Sequence, residues 1–240
     1  EMTSSLVGSE MCIRDRLNGT FHTSKYDVFT IYEPKEREIY RLPYFPDRIL
    51  HHAIMNVLEP IWVSTFTADT YSCIKNRGIH AAAKKVKQAL REDPEGTTFC
   101  LKLDIRKFYP SINHDVLKSI LRRKLKDKRL LRLLDEIIDS ADGVPIGNYL
   151  SQYFANLYLT YFDHWIKEQK RVKHYFRYAD DIVILASDKS YLHSLMGEIR
   201  AYLGDLKLEV KGNWQVFPVA ARGIDFVGYV FFHTHTRMRK

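Results

Sequence analysis

The stretch FRYADDIVIL, residues 176–185, reads as buried β-strand on both sides of Asp180 and Asp181. Two like charges side by side in an apolar strand pair need a reason. Successive strand side chains point to opposite faces, but a tight turn between strands presents neighbouring carboxylates together at its tip. The pair is therefore expected on the turn joining YFRY to IVILA. An exposed Asp-rich turn is one reading of it. The other is a divalent cation between hard oxygen donors.

A third carboxylate extends the pattern. Asp104 closes the apolar strand TTFCLKLDI, residues 97–105, as an acid at the end of a buried segment, and both strands are candidates for the centre of one sheet. Three carboxylates on neighbouring strand ends hold two magnesium ions about 3.5–4 Å apart, the arrangement that aligns an in-line phosphoryl displacement. One ion activates the attacking hydroxyl and the other holds the triphosphate and the leaving pyrophosphate.

Charge points the same way. The 240 residues carry a formal net charge of +8, with 45% hydrophobic and 13% aromatic content. This is enough apolar material for one large domain or two lobes. Lys75–Arg91 holds six basic residues and no acid, and His114–Leu134 holds eight against Asp115 and Asp127. Such stripes either line solvated helix faces or meet a polyanion, whose phosphates release counterions on neutralisation. With the carboxylates they suggest nucleotidyl transfer on nucleic acid. No window approaches a membrane-spanning length of apolar residues and no signal peptide is evident, so a soluble, cytoplasmic protein without a membrane partner is expected. Cys12, Cys73 and Cys100 lie in no paired spacing, against a disulfide framework or zinc site.

Residues 1–16 resemble translated sequencing-adapter read-through and are set aside as non-native. Residues 26–45 alternate around EPKER as a hairpin. A helix with apolar positions Ile49, Ala53, Ile54, Val57 and Leu58 follows, which Pro60 helps to end, then a basic helix over 79–92. Beyond the strand ending at Asp104, helices are predicted from HDVLKSILRRKL, LLRLLDEIIDS and a long aromatic segment, 148–168. After the YADD hairpin come a helix over 189–204 and strands at 206–210, 214–218 and 224–231. The order gives an α+β layer with helices on one face of an antiparallel sheet.

At this point the chain resembles a reverse transcriptase, an RNA-directed DNA polymerase of right-hand form. KLDIRKFYPSI (102–112) is similar to the family's first palm motif, GVPIGNYLSQYFANLYL (143–159) to the second, and RYADD (177–181) to the YxDD box. LKLEVKGN (206–213) resembles the fourth motif, GIDFVGY (223–229) the approach to the primer grip, and EPKEREI with PDRILHHAI the fingers. The ordered matches span about residues 30–231. The resemblance implies fingers over 17–96, palm over 97–118 and 144–232 with an RRM-like, ferredoxin-like core, a helical insertion over 119–143, and a thumb largely absent after 233.

It further implies two Mg²⁺ ions, with Mn²⁺ as a substitute, held by Asp104, Asp180, Asp181 and Ile105. Lys211 is the implied general acid toward pyrophosphate. The dNTP contacts implied are Lys35, Arg37, Ile105, Tyr109 as the gate under the sugar, and Gly147. A solvated basic turn is the alternative for Lys35 and Arg37, a surface lysine for Lys211, and a core aromatic for Tyr109. Expected partners are an RNA template, a DNA or RNA primer, dNTPs and an accessory retroelement protein. Where many relatives carry Gln-Gly and then Ser-Pro, this chain has Ile146-Gly147 and then Ser151-Gln152. That pattern resembles the reverse transcriptases of diversity-generating retroelements; retron, group II intron and abortive-infection types stay open. An RNA-directed RNA polymerase and a catalytically silent RNA-binding module are the other readings. The first is opposed by Tyr109 with the YxDD box, the second by the presence of all three acids.

Overall fold

Alternation in the sequence becomes pairing in the computed structural model, which describes residues 21–32 and 36–239. The adapter-like segment, Cys12 and Lys35 lie outside the described residues. Residue contacts divide the chain into two units, one of Glu1–Ser64 with Ile112–Tyr158 and the other of Thr65–Ser111 with Leu159–Lys240.

The first unit opens with a hairpin, β1 (Asp27–Ile31) and β2 (Arg37–Arg41), in register from Asp27 opposite Arg41 to Ile31 opposite Arg37. Helix α1 (Ile49–Val63) follows. Its buried stripe is Leu50, His51, Ile54, Met55, Leu58 and Trp62, one position off the expected one, while Ile49 and Val57 are exposed. Pro60 does not end it: the helix runs on to Val63, which seats Trp62 in the core, and Pro60 O accepts from Ser64 N–H. Helices α4 (His114–Lys124) and α5 (Lys128–Asp139) start on Asn113 and Asp127, whose side chains accept from the free N–H groups of the first turn. Helix α6 (Tyr149–Tyr158) packs against α1 and α4.

In the second unit, α2 (Ile79–Glu92) precedes β3 (Phe99–Asp104) and the short α3 (Phe108–Ser111). The expected single helix over 148–168 is broken at Leu159 (φ −97°, ψ 1°), where α7 (Thr160–His164) begins and continues into a π-helical turn over Trp165–Gln169. Leu159 O accepts from Asp163 N–H, so the helix restarts directly after the break. Strands β4 (His174–Tyr178) and β5 (Asp181–Ala186), helix α8 (Lys189–Asp205) and strand β6 (Gln215–Pro218) complete a four-stranded sheet of order β4-β5-β3-β6, every pair antiparallel.

This sheet is buried on both faces, which corrects the expectation of helices on one. Cys100, Val183, Leu185, Phe176 and Phe217 share a core with Ala82, Val86 and Leu90 of α2. Alternation turns Leu101, Leu103, Ile182 and Ile184 the other way, and α8 covers β3, β5 and β6 there. Both strand faces being apolar, β3 and β5 read as nearly continuous hydrophobic runs. Residues 206–210 form no strand: Lys207 has φ 60° in the turn after α8, leaving one bridge between Val210 and Ile105. After the short α9 (Val219–Arg222), residues 224–231 form two strands, β7 (Ile224–Phe226) and β8 (Tyr229–Phe231). The left-handed pair Val227-Gly228 separates them, and β9 (Thr236–Met238), unforeseen, adds to β8. None of the described helices is long and apolar enough to cross a membrane.

Candidate active site

Strand register builds the site. Asp104, the last residue of β3, lies directly opposite Asp181, the first of β5. Asp180 stands beside it on the two-residue turn from β4, after Ala179 at φ 55°. The expected turn is therefore present, with Asp180 on it and Asp181 already paired. Ile105 is fully buried, and its N–H donates to Asp180 O at 3.3 Å, closing the strand end against the turn.

Two lysines meet the acids. Lys211 Nζ lies 2.7 Å from Asp104 Oδ1, and Lys102 Nζ lies 3.2 Å from Asp181 Oδ2 while also donating to Asp225 O of β7. Lys102 was not singled out from sequence. Its signal was available: a charge two residues before Asp104 in an apolar strand must share the face of Asp104.

The electrostatics are strained. Burial, followed by the charge of Asp104, pushes the Asp180 carboxyl up to about 6. Burial also raises Asp181, with Lys102 opposing. Asp181 Oδ1 is buried and accepts no hydrogen bond. Among the described residues no group of three His, Cys, Asp or Glu side chains is gathered closely enough to enclose a metal ion. Lys102 and Lys211 each pair with one of the carboxylates. The donor chemistry nevertheless fits a hard divalent cation: carboxylate oxygens on adjoining strand ends, one of them buried without a partner, beside an acid held up by burial and then by a neighbouring negative charge.

Tyr109, in α3, is half-buried with its ring 5.5 Å from that of Phe108, and burial pushes its phenol well above the ordinary range. The remaining expected contacts belong to the first unit. Arg37 is exposed at the start of β2. Gly147 has φ 124°, and a Cβ there would stand 2.7 Å from Tyr40 O. Tyr40 N–H donates to Ile146 O at 2.8 Å, so β2 lies against this segment too closely for a side chain. That is a structural reason for glycine at 147, whatever else it touches.

Residues 33–231 match the family described as Reverse transcriptase (RNA-dependent DNA polymerase). The chain is 25% identical to Protein YkfC of Escherichia coli (strain K12), covering 86% of this chain and 67% of that one. It is 24% identical to the Group II intron-encoded protein LtrA of Lactococcus lactis subsp. cremoris over 54% of this chain, but spans only 23% of that protein. Among solved structures, telomerase from Candida tropicalis in complex with a fragment of telomeric RNA superimposes with a TM-score of 0.66 at 14% identity. The match covers 90% of this chain and 45% of that one, a likeness of fold. With two acids on adjoining strand ends of an antiparallel sheet, a third on the turn beside them, and a family match over most of its length, the chain belongs to the reverse transcriptase family.

Proposed function

We propose that the chain carries the polymerising site of an RNA-directed DNA polymerase, adding dNTPs to a primer 3′-hydroxyl on an RNA template. The observation that carries this reading is the juxtaposition of Asp104, Asp180 and Asp181 at one end of β3 and β5, with Lys211 on Asp104. Asp104, Asp180, Asp181 and the Ile105 carbonyl would hold two Mg²⁺ ions, or Mn²⁺ in their place. When bound, these supply Lewis-acid stabilisation of the phosphoryl oxygens and lower the pKa of the attacking hydroxyl.

The side chains divide the remaining work. Lys211 donates its proton to the departing pyrophosphate as general acid. Tyr109 packs under the sugar and rejects a 2′-hydroxyl by steric clash. Lys35, Arg37 and Gly147 are assigned to the triphosphate and the incoming nucleotide by the family resemblance alone. The basic stripes carry template and primer through phosphate contacts, so binding should weaken steeply with salt.

Ile146-Gly147 with Ser151-Gln152 favours a diversity-generating retroelement, because an apolar residue in place of an amide beside the incoming base loosens selection against the wrong base. The relatedness to a group II intron-encoded protein favours an intron-type element instead. Primer extension on a defined RNA template, omitting one dNTP at a time, tests both levels. No extension in Mg²⁺ or Mn²⁺ would overturn the polymerase reading, whereas read-through confined to template adenines separates the diversity-generating type from the intron type.

A further inference from the structure

Arg177 and Asp163 are both 0% exposed, a full ion pair inside the second unit. The pair is fully hydrogen-bonded. Asp163 Oδ1 accepts from Tyr175 Oη at 2.6 Å and Arg177 Nε at 2.8 Å; Oδ2 accepts from Arg177 Nη2 at 2.6 Å and Thr70 Oγ1 at 2.8 Å. The main chain of the same arginine is fixed as well, its N–H donating to Asp69 O and its carbonyl accepting from Tyr71 N–H, both at 3.0 Å.

Burying two charges is expensive, and well-packed apolar residues often serve stability as well or better, so stability alone is a weak account of the pair. What the guanidinium reaches is more informative. Its Nη1 donates to Ala179 O at 3.1 Å. Ala179 is held at φ 55°, a left-handed conformation disfavoured for alanine, and it immediately precedes Asp180. The Asp163 carboxylate orients the guanidinium, the guanidinium holds the strained turn, and the turn aims Asp180.

We infer that Asp163 and Arg177 are positioning residues for the Asp180 carboxylate, a buried clamp that holds the hairpin turn in its working geometry. The inference rests on the proposed role of Asp180. It predicts that the ion pair is dispensable for folding and needed for the site.

The test uses the purified chain, with Mn²⁺ binding followed by electron paramagnetic resonance and single-nucleotide extension followed in parallel. The double variant Asp163→Leu/Arg177→Met replaces the pair by apolar groups. It should fold with a melting temperature close to that of the parent, yet lose Mn²⁺ affinity and kcat by about 10- to 100-fold, as supporting hydrogen bonds around metal ligands do elsewhere. Primer–template affinity should stay within about twofold, since the phosphate contacts that supply it are untouched. A folded double variant with parental Mn²⁺ affinity and kcat overturns the inference. Should it fail to fold, Arg177→Lys decides: lysine keeps the charge on Asp163 but cannot also hold the Ala179 carbonyl, so a folded variant with parental values overturns the clamp and a loss in both readouts supports it. Asp180→Asn run alongside separates the two levels. If that variant keeps its kcat, the reading of Asp180 fails; if it is inactive while the pair variants are not, only the clamp fails.

Discussion

Lys211 meets Asp104 twice: its main-chain N–H donates to the Asp104 carbonyl at 2.9 Å, and its ammonium lies 2.7 Å from Asp104 Oδ1. The main-chain bond fixes where the side chain starts, so the ammonium reaches the acid without searching. In the proposed role of proton donor it should be needed mainly in the transition state. Lys211→Ala is expected to lower kcat by about 100-fold with little change in dNTP KM, and Lys211→Arg, which holds its proton, to recover little of it. A loss confined to KM would assign Lys211 to substrate binding.

Asp104→Asn, Asp180→Asn and Asp181→Asn should each abolish extension while leaving RNA binding and the melting temperature near parental values. On the proposed metal site, each removes a ligand charge whose contribution to the transition state is about several kcal/mol, with little change in side-chain volume. Three active variants would put the site elsewhere.

Tyr109→Ala opens space beneath the sugar while leaving the acids untouched. The ratio of kcat/KM for rNTP to that for dNTP should rise by at least about tenfold if a clash with the 2′-hydroxyl supplies the discrimination. If Tyr109 serves only as a core aromatic beside Phe108, both substrates slow together and the ratio stays fixed.

Gly147→Ala must place a methyl group against Tyr40 O at a φ reserved for glycine. The expected cost is about 1–3 kcal/mol, read by urea denaturation. A neutral substitution would show that the hairpin and residue 147 are less closely apposed than this.

His51 offers a pH test away from the acids. Burial, partly offset by Asp47, lowers its imidazole from 6.5 to about 4. The unfolded chain therefore binds a proton between pH 6.5 and 4 that the folded chain refuses. Stability is full above 6.5 and falls as pH drops toward 4, by roughly 3 kcal/mol from this group. The difference in unfolding free energy between the parent and His51→Gln, measured at pH 7 and pH 4, should shrink by that amount. A constant difference would mean His51 takes up its proton in the folded state.

The sequence alone determined β3, β4 and β5, the turn between β4 and β5 and the identity of the three acids, because each is written locally. Nearly continuous apolar runs set β3 and β5, and Asp104 and Asp181 stand at their ends with Asp180 on the adjoining turn, where charge is out of keeping with its neighbours. Helix interruptions were not legible. Pro60 is a helix breaker that the core contact of Trp62 overrides, and nothing around Leu159 marks the break that restarts the chain there.

Only the tertiary structure decided which charges face each other. Lys102 reaches Asp181 because β3 and β5 pair in one particular register, and a slip of one residue would turn it away. The partner of Arg177 lies on another element, and Thr70 and Tyr175 satisfy the remaining carboxylate sites only once that element is packed in place. Local sequence records the conformation a segment prefers. The pairing of buried charges depends on desolvation and distance, which exist only after the chain has folded.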